Sequence, residues 1–166
     1  HVWVQTPALM AGYFERDDLT RQVVSDGWFS TGDLGALDAQ GRLLLRGRHK
    51  ELINVGGAKV YPADIDALIG TLDGVDDVCT FGVDDPLQGE NVAIALVLRE
   101  SGPSALAQLY AHVAMRLATH QMPRRWYVVE GITRTARGKL DRSAVAAQCA
   151  PLAATDLRTL EKHGQP

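Results

Sequence analysis

The sequence predicts an α+β fold: a three-stranded sheet flanked by helices, a short β-hairpin, and a further set of β-strands ahead of them. Three observations carry that expectation. Residues 77–83, 92–98 and 126–129 are apolar runs of strand length, rich in β-branched and aromatic side chains. Ile65, Leu68, Ile69 and Leu72 recur at helical spacing, as do Leu106, Leu109, Val113 and Leu117. Clusters of Gly, Pro, Asp and Ser separate these runs and supply the turns between them.

The earliest strand is Val2-Trp3-Val4, which has no lead-in and reads as a start inside a larger fold. Pro7 and Gly12-Tyr13-Phe14 follow, and Asp26-Gly27 turns the chain into the aromatic strand start Trp28-Phe29. Residues 34–37 and 43–45 flank Asp38-Ala39-Gln40-Gly41, whose glycine suits the left-handed position of a bulged hairpin loop. A charged connection then leads into an apolar run, a Gly56-Gly57 turn and a second short strand. Pro62 opens a helix, where its missing N–H costs nothing. Asp84-Asp85-Pro86 and Gly89 join the next two strands. After the break at Ser101-Gly102-Pro103, Ser104 is expected to cap a helix running to about Thr119. Met122-Pro123 stops it, the third core strand follows, and a loop over 132–142 leads into a last helix. From Pro151 onward an Ala-rich, charged stretch reads as a loose helical tail.

Composition narrows the function. At 166 residues, 46% hydrophobic and 22% charged, the chain has material for one ordinary domain, or for a small domain plus a piece of another. A net charge of −3 makes no electrostatic case for nucleic acid. Two cysteines, Cys79 and Cys149, cannot make a disulfide framework, and a reduced, cytoplasmic setting is expected. No apolar run nears the roughly 20 residues that cross a bilayer, and the N-terminus lacks a signal-peptide pattern, so no membrane partner is expected. The five histidines lack metal-ligand spacing, so no metal site is expected on the chain.

The stretch from Arg46-Gly47-Arg48 through Glu51-Leu52-Ile53-Asn54-Val55-Gly56-Gly57 to Tyr61-Pro62 and Ile65-Asp66 resembles the motif joining the two domains of adenylate-forming enzymes. These are the acyl-CoA and aryl-CoA synthetases, the luciferases and the peptide-synthetase adenylation domains. Thr31-Gly32-Asp33-Leu34 upstream and Thr135-Ala136-Arg137-Gly138-Lys139-Leu140-Asp141-Arg142 downstream match two flanking motifs in the same order. The resemblance implies that residues 1–48 are the terminal β segment of a large N-terminal domain, 50–150 a small mobile C-terminal domain, and 151–166 a tail.

It also implies roles. Asp33 would bind the nucleotide, since a carboxylate accepts hydrogen bonds from two vicinal ribose hydroxyls. Arg48 would donate to its ribose or phosphate. Lys50 falls at the hinge position, Gly56 and Gly57 on the loop that lines the pantetheine tunnel. Lys139 would stabilise charge where the substrate carboxylate meets the α-phosphate. Read alone, each has a plainer account: Thr-Gly-Asp and Gly-Gly make turns, and the cations are solvated surface. Ala58 stands where relatives often carry Glu, and His120-Gln121 where they often carry an aromatic-basic pair.

The implied reaction consumes ATP with Mg2+, forms an acyl-adenylate from a carboxylic acid, and passes the acyl group to coenzyme A or to a carrier protein's phosphopantetheine. Residues 51–57 with Tyr61-Pro62 read closer to the CoA ligases, whereas 138–142 are near the carrier-loading version. No Gly/Ser/Thr-rich phosphate loop ending in Lys is present. The chain alone is therefore expected to be inactive without a large adenylation domain, on the same or a separate chain. A catalytically silent interaction module that keeps the fold is the alternative of a different class.

Overall fold

The computed structural model describes residues 1–100 and 102–155, and the chain divides into two units, His1–Lys50 and a second that begins at Glu51. Short strands joined by tight turns make the first. Strands β1 (Trp3–Val4), β2 (Val24–Ser25) and β3 (Trp28–Ser30) form an antiparallel sheet in the order β1-β3-β2. Asp26 and Gly27 both take positive φ, +50° and +77°, which is what a two-residue turn between twisted strands needs. Strands β4 (Asp33–Leu37) and β5 (Leu43–Arg48) pair as a separate hairpin. Asp38 organises its loop: Oδ1 accepts from the backbone N–H groups of Gln40 and Arg42, both at 2.9 Å.

Helix α1 (Asp17–Val23) has no counterpart in the sequence expectations. Its single apolar pair, Leu19 and Val23, is half-buried but too short to read as a helical stripe. Local polar contacts support it: acidic Asp17 and Asp18 sit in the first turn, and Arg16 grips both oxygens of Asp18 at 2.9 Å. No residue of this unit is buried.

The second unit follows a single 3-10 turn, His49–Glu51. Its elements are β6 (Ile53–Val55), β7 (Ala58–Val60), α2 (Pro62–Ile69), β8 (Val75–Asp85), β9 (Gly89–Leu98), α3 (Pro103–Ala114), β10 (Arg125–Val128) and α4 (Arg142–Cys149). Strand β9 is central, antiparallel to β8 and parallel to β10. These are the three strands expected, and the β6–β7 hairpin joins the same sheet through the Val55–Gly89 bridge, which makes it five-stranded.

Alternation along β9 builds two cores. Val92, Ile94 and Leu96 face one way, into a cluster with Ile65 and Ile69 of α2, Leu106, Leu109 and Val113 of α3, and Trp126. Ala93 and Ala95 face the other way, with Cys79, Phe81, Tyr127 and, from α4, Val145 and Cys149. The sheet is thus covered on both faces, which is why its strands read as near-continuous apolar runs.

Helix α3 departs from expectation. Pro103 already stands at its first position with Gly102 as the cap, so Ser104 falls inside the first turn and does not cap it. The helix ends at Ala114, and a 3-10 turn, Thr119–Gln121, follows. At the chain's end Thr155 donates its N–H to Trp126 O at 2.9 Å. Of the helical tail expected from Pro151, residues 151–155 form a turn and an extended bridge instead, and the rest lies outside the described residues.

Candidate functional site

Asp33 and Arg48 are register partners at the open end of the β4–β5 hairpin, and their side chains meet. Arg48 Nε lies 3.0 Å from Asp33 Oδ1, and Arg48 Nη1 donates to Thr31 O at 3.0 Å. The backbone locks the pair from below. Thr31 Oγ1 accepts from Asp33 N at 3.0 Å and donates to Val2 O at 3.0 Å. Gly32 has φ +74°, and His49 donates its N–H to Gly32 O at 2.9 Å. The side chains remain 29% and 46% exposed, so a ligand can reach them, and neither contact uses Asp33 Oδ2. Lys50 sits in the 3-10 turn, exposed, as the last residue of the first unit.

Gly56 (φ +57°) and Gly57 (φ +89°) form the two-residue turn of the β6–β7 hairpin, and both dihedrals lie where L side chains are disfavoured. Gly56 N donates to Gln88 O at 2.9 Å, which ties this turn to the turn between β8 and β9. Asp85 stiffens that neighbour, its Oδ1 accepting from Leu87 N and Gln88 N at 2.9 Å. Those bonds, Gln88 N first, hold its carboxyl below the usual range.

Lys139 is exposed on a closed turn. Gly138 N donates to Thr135 O and Thr135 N to Lys139 O, each at 2.8 Å, while Thr135 Oγ1 accepts from Lys139 N at 3.2 Å. Gly138 takes φ +76° to close it. Among the described residues no carboxylate pairs with the Lys139 ammonium. Directly beyond, Asp141 caps α4 by accepting from Ala144 N at 3.0 Å.

Sequence reasoning missed a buried ionic cluster. Arg142, its side chain 12% exposed, lies 2.6 Å from Asp66 Oδ2 through Nη1 and 2.9 Å from Glu51 Oε2 through Nε. The same Nη1 donates to Thr80 O at 2.8 Å, and Asp66 Oδ1 accepts from Thr80 N at 2.7 Å. One guanidinium thus links α2, β8, α4 and the first residue of the second unit. Burial pushes the Asp66 carboxyl up against the pull of Arg142. Arg142 itself is raised: burial works most strongly against its charge, and its neighbours, Asp66 first and then Glu51, together outweigh it. The only sequence signal was Arg142 closing the third motif, and a lone Arg near a helix start reads as surface. Cys79, beside it, is pushed up to about 12 by burial, which makes it a poor nucleophile.

The structure brings Asp33 and Arg48 together within the first unit, and separates the two candidate loops of the second. The Gly56-Gly57 turn leans on Gln88, at the Asp85 end of β8. The Lys139 turn is tied to Asp77 at the other end: Arg134 binds both Asp77 oxygens, at 2.8 and 2.7 Å, and reaches Gly138 O at 3.3 Å. Along an extended strand those two ends of β8 are about 26 Å apart. Among the described residues no group of three His, Cys, Asp or Glu side chains is placed to hold a metal ion. No described helix is long and apolar enough to cross a membrane.

A model of the AMP-binding enzyme C-terminal domain family matches residues 64–139. A long-chain-fatty-acid–CoA ligase of Mycobacterium tuberculosis is 33% identical over 147 residues, which cover 89% of this chain and 29% of that enzyme. For an oxalate–CoA ligase of Arabidopsis thaliana the identity is 35% over 145 residues, covering 87% and 28%. Among solved structures, an amide bond synthetase from Marinactinospora thermotolerans has TM-score 0.80 and 34% identity, over 88% of this chain and 30% of that one. The o-succinylbenzoate CoA synthetase of Bacillus subtilis, in complex with its acyl-adenylate intermediate, has TM-score 0.79 and 28% identity, over 93% and 30%. The chain spans about 30% of the length of these relatives.

Proposed function

Because residues 64–139 match the AMP-binding enzyme C-terminal domain family and the chain aligns with part of acyl-CoA ligases, we propose that it is the mobile domain and preceding β segment of an ATP-dependent acid–thiol ligase. The observation that carries this reading is the placement of two distinct loops at opposite ends of β8. One bears an exposed ammonium and the other a bare glycine turn. A domain that swings between two poses can present one loop, then the other, to a single cleft, and so serve two transition states.

In the first half-reaction a substrate carboxylate oxygen bonds to the α-phosphorus of ATP, the bond to the β-phosphate bridging oxygen breaks, and pyrophosphate leaves. Lys139 sits over the carboxylate and α-phosphate oxygens and offsets the charge that gathers there. Asp33 accepts from the ribose hydroxyls, and Arg48, already held by Asp33 and Thr31, donates to the ribose or phosphate. In the second half-reaction the thiol sulfur bonds to the acyl carbon, the carbon–oxygen bond to AMP breaks, and the thiol proton passes to solvent. The Gly56-Gly57 turn lets the pantetheine arm pass close to backbone. Mg2+ would enter with the nucleotide, whose phosphate oxygens are the ligands it prefers. Coenzyme A is favoured as acceptor because the Mycobacterium tuberculosis and Arabidopsis thaliana relatives are CoA ligases.

The test supplies a large adenylation domain to the chain, fused or in trans, and follows each half-reaction separately. Lys139→Ala is expected to abolish most pyrophosphate exchange and to spare thioester formation from supplied acyl-adenylate. Equal loss of both steps would refute the role given to Lys139, and no exchange with any partner domain would favour a silent module. Offering coenzyme A and a phosphopantetheinylated carrier side by side decides the acceptor.

A further inference from the structure

The contact between Arg134 and Asp77 is not accounted for by packing alone. Strand β8 slips register between Val75 and Asp77, so that Asp76 is the extra residue of a bulge. Bulges re-aim the side chains beside them. Asp77 is further fixed by accepting from Val78 N at 2.9 Å. Its two oxygens receive Arg134 Nη2, while Nη1 of the same guanidinium reaches Gly138 O, the residue just before Lys139. Among the described residues the other hydrogen bonds of this loop are its own turn bonds and the bracing of Gly131 and Thr133 by Gln148 of α4, at 2.9 Å each, while Ile132 and Leu140 pack at its two ends against the core. Arg134 is thus the polar strut that ties the tip of the lysine turn, at Gly138, to the sheet.

We infer that the Arg134–Asp77 pair is a positioning device for Lys139, required for adenylate formation although neither residue touches substrate. The inference rests on the adenylation role proposed for Lys139. The two side chains are 42% and 30% exposed, so the pair adds little to global stability, and its effect belongs to local order. A long, flexible lysine stem delivers its charge accurately only if its own backbone is held, and misplacement by about 1 Å can cost about a hundredfold in rate.

Two measurements test this. On the chain alone, Arg134→Ala and Asp77→Asn should speed hydrogen exchange of the Gly138 and Lys139 amides while leaving β9 amides and the melting temperature unchanged. Unchanged exchange at Gly138 and Lys139 in both variants would overturn the strut. With a large adenylation domain supplied, both variants should lower single-turnover adenylate formation by about tenfold to a hundredfold and leave the thioester step intact. Arg134→Lys should restore part of the rate, since an ammonium keeps the charge but loses the fork. Adding Arg134→Ala to Lys139→Ala should cost nothing more. If Lys139→Ala is crippled and Arg134→Ala is not, the strut inference falls and the proposed function stands. If Lys139→Ala itself forms adenylate normally, the role of Lys139 falls first.

Discussion

Leu43, Leu44 and Leu45 make a run as apolar as Ala93-Ile94-Ala95-Leu96, and the two runs end in opposite environments. The first stays 51%, 45% and 63% exposed, and the second is fully buried. Both lie on regular strands, so strand geometry does not separate them. The second run is covered by α2 and α3 on one face and α4 on the other. The first unit has a two-stranded hairpin, a small sheet and one short helix, with nothing of its own to lay over them. Apolar pattern sets where a strand can bury its face; burial needs a second layer. On the proposed function that layer is the large adenylation domain.

The sharpest way to break the comparison is to cut the chain at its division. Residues 51–155 are expected to melt cooperatively by circular dichroism, while residues 1–50 alone should show no cooperative transition, because too little surface is buried to offset chain entropy. A cooperative melt of 1–50 would end the contrast. Next, Trp126→Ala should destabilise the second unit by about 3–5 kcal/mol in urea titrations, whereas Leu44→Ala should stay within about 0.5 kcal/mol. Equal losses would mean the Leu44 face is covered after all. Arg142→Ala should cost about 3 kcal/mol, since it strands the buried Asp66 carboxylate, and Glu51→Gln should cost less because Glu51 is the more exposed partner. The smallest effect falls on the half-exposed pair of the first unit. Arg48→Ala should change stability by less than about 1 kcal/mol, and a larger loss would show that the pair is structural.

The second unit was legible because its strands and helices obey their periods. The β9 run and the α2 stripe behind Pro62 stand where pattern places them, and a helix follows the 132–142 loop as expected, one residue early. The start of α3 was misread because Ser104 is a good cap in isolation, while Pro103 competes for the same turn and takes the first helical position. Helix α1 was invisible since one apolar pair, Leu19 and Val23, makes no stripe, and the two bonds from Arg16 to Asp18 follow no sequence pattern. Of the candidate site, Asp33, Arg48, Gly56, Gly57 and Lys139 could be named from motifs. Their supports could not: Arg134 finds Asp77, and Arg142 finds Glu51 and Asp66, across sequence distances that no local pattern encodes.

The Gly56-Gly57 turn has a further consequence. A Cβ placed on either glycine would meet nothing within 4 Å, and both φ values are positive. What excludes side chains there is therefore handedness and not room. A D-alanine at Gly57, introduced by semisynthesis, would sit in its own favoured region and keep the hairpin, whereas L-alanine would bend it. The mirror-image residue thus separates the shape of this turn from its bareness, which no encoded amino acid can do.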